Sequence, residues 1–84
     1  MITLEKLRIY QRYGGDIDGI ARVGSAREKQ IISDSDWRDI DMVLQDFAFK
    51  KKGIIGESYR VEMEQRLKDL IPDPSVAAEL ERMA

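Results

Sequence analysis

The side chains that most often carry chemistry at neutral pH are missing, since the 84 residues contain no cysteine and no histidine. Thiolate and imidazole nucleophiles, the usual neutral-pH acid–base group and ordinary structural zinc sites go with them. Oxygen ligands, hydroxyls and charged ends are left. Asp16 and Asp18 have the spacing that opens a calcium loop, but Ala21, Arg22 and Val23 follow where later oxygen ligands belong. Gly14, Gly15 and Gly19 lack both the Gly-Lys-Ser/Thr run and the preceding strand of a phosphate loop. Tyr10 and Tyr13 have no nearby base to activate a phenol, so they read as packing residues. Beyond residue 57 carboxylates alternate with bases on exposed positions, unlike the isolated acid and nucleophile of a glycosidase. No catalytic residue, metal or cofactor is assigned, and the expectation is a chain without enzymatic activity.

The stretch from Asp16 to Ile32 could do a different chemistry, that of meeting a nucleic acid. It reads as a short helix to about Val23, a Gly24-Ser25 turn and a second short helix from about Ala26. Ile17, Ile20 and Ala21 point inward from the first helix, and Ile31 closes the pair. This outline resembles the helix-turn-helix of many bacterial regulators, with Ala21 as the alanine that packs on the second helix. The turn glycine of that motif usually comes four residues after the alanine; here Gly24 stands at three and Ser25 at four. On this reading Ser25 approaches a phosphate, Arg22, Arg27 and Lys29 reach the backbone or bases, and Gln30 meets a base edge. Glu28, Asp34 and Asp36 put negative charge close by, and so few phosphate contacts would need dimerisation or help from Lys50 to Lys52.

A third set of residues points to a protein partner. Between Ser33 and Gly53, Trp37, Ile40, Val43, Leu44, Phe47 and Ala48 fall within an arc of about 140°, the face of a helix laid on a core. Met42 and Phe49, seven apart, project from another side and form a second stripe. Either a further helix covers them, the last helix being the candidate, or they form a partner or self-association surface, for which aromatic and methionine side chains are favoured. Asp39 and Asp46 line a third side near Lys50 and read as a solvated polar face beside it.

These candidates need elements to hold them, and every substantial apolar pattern has a helical period. Thr3 caps a helix over about 4–13 that Gly14 and Gly15 end. One of Ser33 to Asp36 caps the central helix at about 35–52, Lys50 to Lys52 sit at its negative end, and Gly53 supplies a left-handed stop. Gly53 to Gly56 turns the chain into an antiparallel helix ending near Ile71, with Tyr59, Met63, Leu67 and Leu70 inward and Glu62–Arg66 and Glu64–Lys68 as i,i+4 pairs. Asp73 and Pro74 start a last helix to about Met83, with Val76, Ala77, Leu80 and Met83 inward. The expected fold is all-α: one domain over 1–84, four or five short helices around the central one.

Net charge divides unevenly. Residues 1–32 carry six basic and four acidic groups, and residues 33–84 carry eight and twelve, so +2 and −4 make the overall −2. The imbalance can orient a partner but is too small to imply nucleic acid by itself. With no run of about 18 apolar residues and no signal-peptide pattern, a cytoplasmic location without membrane contact is expected. The leading expectation is a small intracellular protein–protein interaction or regulatory module, whose partner is another protein or a second copy. The alternative is a DNA-binding regulator using 16–32.

Overall fold

A computed structural model describes residues 1–84 as six helices and no strand: α1 (Leu4–Arg12), α2 (Ile17–Val23), α3 (Ala26–Ile31), α4 (Asp34–Lys52), α5 (Glu57–Leu70) and α6 (Pro74–Met83). The fold is all-α, with the five shorter helices arranged around α4. None is long and apolar enough to cross a membrane.

Each boundary has a local cause. Thr3 Oγ1 accepts the Lys6 N–H at the start of α1, Asp16 accepts from Asp18 N at the start of α2, and Asp73 accepts from Ser75 N at the start of α6, where Pro74 occupies the first turn. Among the four candidates before the central helix the cap is Ser33. Its hydroxyl accepts from Asp36 N, and the Asp36 carboxylate returns to Ser33 N, a reciprocal pair that satisfies two otherwise free donors. Lys6 also reaches Asp36 at 3.0 Å, which ties α1 to the start of α4. Gly53 closes α4 at φ 68°, and Gly14 and Gly15 end the first helical segment at φ 60° and 78°.

The core forms where α1, α2, α3 and α6 meet α4. Leu7, Ile40, Val43, Val76 and Leu80 are wholly buried there, with Ile2, Ile9, Ile20, Ile32, Trp37 and Phe47 around them, and Leu44 and Ala77 pack at its edge. Each such aliphatic side chain contributes about 1.5–3 kcal/mol when fully buried. Trp37 places its polar atom as well as its ring. Its indole N–H donates to Gly15 O at 3.1 Å, and its ring lies 5.0 Å from that of Tyr10. Tyr10 in turn donates its hydroxyl to Asp41 at 2.5 Å, and burial together with that bond pushes the phenol pKa well above its ordinary range.

Three expectations about packing need correction. Ala21 is exposed, lining an open pocket with Lys29 and Ile32 and not packed under α3; α2 buries Gly19 and Ile20, with Ile17 beside them. Arg66 does not pair with Glu62 along its own helix but reaches across to Asp46. The last helix docks on α4 with Val76, Leu80 and Ala77 inward, but Met83 is exposed, and the helix that meets Phe49 is α5.

Candidate functional site

The α2–α3 segment has the outline of a helix-turn-helix, with a turn of two residues, Gly24 and Ser25. Gly24 is required there by close approach: a Cβ at this position would lie 2.4 Å from the Ile20 carbonyl oxygen. Ser25 caps α3 in a reciprocal arrangement with Glu28, so its hydroxyl is engaged by the backbone. No residue of α3 is buried, and Arg27, Lys29 and Gln30 are exposed. Glu28 faces inward as the hub of this end. It accepts from Ser25 N, from the Tyr13 hydroxyl at 2.8 Å and from Arg12, and these bonds, led by the Ser25 backbone, hold its carboxyl below the ordinary range. Two of the three candidate cations lie near carboxylates, Arg22 3.5 Å from Asp16 and Arg27 4.0 Å from Glu5, while exposed Lys29 forms no ion pair.

The second constellation lies on α4. Asp39, Met42, Asp46 and Phe49 follow one another at steps of three, four and three, an arc of about 80° at helical spacing. The two lines that seemed separate, methionine with phenylalanine and the two aspartates, are edges of one face, and that face meets α5. Asp46 is not solvated. It is fully buried, with Tyr59 donating to Oδ1 at 2.6 Å and Arg66 donating Nε to Oδ2 at 2.9 Å and Nη2 to Oδ1 at 2.8 Å. This is a two-pronged guanidinium–carboxylate pair with a phenol added, and no buried polar side-chain atom in the chain lacks a partner. The Arg66 guanidinium stands 5.9 Å over the Tyr59 ring, and Phe49 meets that ring edge-on at 6.3 Å. The hydrogen bond to Asp46 raises the pKa of the Tyr59 phenol, and the same carboxylate raises that of Arg66. Asp46 is therefore a structural residue of the α4–α5 seam, not a surface contact.

Toward the start of α4 the same seam opens. Met42 and Leu70 are half-buried in a shallow groove of about 430 Å³, with Asp39 on one wall and Glu62, Gln65 and Asp69 on the other. Arg66 also lines it, but its charge is matched by Asp46 beneath. The carboxylates do not converge on a point: no group of three or more acidic side chains in the chain is placed to hold a metal ion. What the groove offers is an apolar floor with an anionic rim. Of the four expected contact residues, Asp39 and Met42 line this groove, Phe49 lies against Tyr59, and Asp46 is sealed. Glu62, Asp69 and Leu70 were missed by sequence reasoning. The signal for them was present, because Tyr59, Met63, Arg66 and Leu70 repeat at steps of four, three and four and match the α4 face across an antiparallel turn.

Comparison with protein-family models, curated proteins and solved structures found no match.

Proposed function

We propose that this chain is a small cytoplasmic protein-binding module without catalytic activity, and that its partner-facing surface is the open end of the α4–α5 seam around Met42. The observation that carries this reading is the contrast along one helix face. Asp46 is sealed by Tyr59 and Arg66, whereas Met42, half-buried like Phe49, lines a shallow groove together with Leu70, which also packs on the core. Polarizable methionine on a concave apolar surface with charged edges suits contact with another protein. A regulatory or assembly role follows from binding and not from turnover.

Site-specific photocrosslinking tests it. A photoreactive residue installed at Met42, in the cells that make the protein, should give a discrete crosslinked species of higher mass. The same residue at Val61, on the outer side of α5 and 61% exposed, should not. Equal crosslinking at both positions, or none at Met42, would contradict the reading.

The DNA-binding alternative draws on one specific observation, the exposure of Arg27, Lys29 and Gln30 along α3. It is weakened by the pairing of Arg12, Arg22 and Arg27 with carboxylates of the same chain. Anisotropy with mixed duplex DNA at low salt separates it: binding that falls steeply with salt and with Arg27→Ala or Lys29→Ala would favour it.

A further inference from the structure

Resting on the reading of the α4–α5 groove as the binding face, we propose that its occupant is a cationic amphipathic helix of another protein. Apolar side chains of that helix would sit on Met42 and Leu70, and its lysines or arginines would face Asp39, Glu62 and Asp69.

The floor and the rim carry this together. The floor is a shallow strip between two antiparallel helices with Met42 and Leu70 as its apolar side chains, and such a seam is where a third helix packs in a bundle. The rim decides which helix. Asp39 comes from one wall and Glu62 and Asp69 from the other, so carboxylates line both sides of the groove. Arg66, the single cation in the lining, donates two hydrogen bonds to buried Asp46 and also feels the Glu62 carboxylate, so one cation stands among three rim carboxylates. Like charges on facing walls disfavour closing the seam here. An occupant carrying positive charge relieves that repulsion while covering Met42 and Leu70, so association gains from both terms.

The same charges exclude other occupants. A second copy meeting this face through a two-fold axis would bring two anionic rims together. A nucleic-acid backbone would meet the wrong sign.

The test is selection from a displayed library of random peptides of about 16 residues, long enough for roughly four helical turns. Enriched peptides are then titrated against the natural chain, Met42→Ser and the triple variant Asp39→Asn/Glu62→Gln/Asp69→Asn. The expected winners combine Lys or Arg with large apolar residues at i, i+3 or i+4, and i+7. Met42→Ser should weaken them about tenfold or more, and the triple variant about tenfold, with a loss of salt dependence. Melting curves confirm that both variants are folded. Enriched peptides that are neutral or acidic, yet lost with Met42→Ser, would overturn the cationic occupant and leave the binding face standing. Peptides indifferent to Met42→Ser, or no enrichment at all, would overturn both. A doubled mass in sedimentation without peptide, abolished by Met42→Ser, would replace the proposed partner with a second copy.

Discussion

The two halves of the α4–α5 seam use one repeat to opposite ends. At the closed half, Asp46 faces a tyrosine and an arginine long enough to reach it, and the opposite charges hold the helices in register. At the open half Asp39, Glu62 and Asp69 line the seam from its two sides, and it stays a groove. The lesson is that seven-residue spacing says which side chains share a face, whereas the sign and reach of the opposing residue decide whether that face closes. Buried ion pairs are weak contributors to net stability, but removing one partner is costly, and here the pair joins α4 to α5 beside the groove that Met42 and Leu70 line.

The largest effect should come from breaking the closed half. Arg66→Met leaves the buried Asp46 without its cation and should cost about 3–5 kcal/mol by denaturant unfolding. Adding Asp46→Leu to that variant should restore most of the loss, since the pair is then replaced by apolar groups. A double variant as unstable as the single one would show that the pair contributes net stability beyond its own desolvation.

Tyr59→Phe is milder. It removes one hydrogen bond to a charged acceptor and should cost about 1.5–3 kcal/mol at neutral pH. It also carries a pH signature. Tyr59 and Tyr10 have raised pKa values in the folded chain, so the stability they contribute is complete below their ordinary value of 10.0 and is lost as pH rises through the folded values. The natural chain should therefore weaken above pH 10, and Tyr59→Phe should flatten part of that fall. An alkaline limb identical in the two proteins would remove Tyr59 from the explanation.

Neutralising the open half should act in the other direction and least of all on the fold. The Asp39→Asn/Glu62→Gln/Asp69→Asn variant should melt no lower than the natural chain and gain up to about 1 kcal/mol at low salt, because exposed charge interactions are each worth only tenths. A clear loss of stability would mean that these carboxylates serve the fold and not a partner.

Much of this architecture was legible in the sequence because local causes agreed: Thr3 and Asp73 as caps, Gly53 as a left-handed stop, and the Trp37–Ile40–Val43–Phe47 stripe as the core face. What was not legible came from pairing between helices. Asp46 looks solvated when its own helix is considered alone, and only the reach of Tyr59 and Arg66 buries it. Arg66 looks paired with Glu62 by spacing, but a carboxylate sealed beneath it competes more strongly than one in water. Ala21 looks packed by the helix-turn-helix outline, yet an open pocket lies between it and Lys29, so it stays exposed. The candidate groove was half visible for the same reason: Asp39 and Met42 belong to the long, well-marked α4, while Glu62, Asp69 and Leu70 join them only through the antiparallel turn.

The most direct measurement sets Met42→Ser beside Tyr59→Phe, each melted and each titrated with a peptide selected on the natural chain. The expected result is a crossover. Met42→Ser melts within about 5 °C of the natural chain, as a half-buried position allows, and binds at least about tenfold more weakly. Tyr59→Phe melts lower and, while folded, binds like the natural chain. The opposite pattern, with Met42→Ser unfolding readily and its folded fraction binding unchanged, would make Met42 a packing residue and remove the open seam as a binding surface.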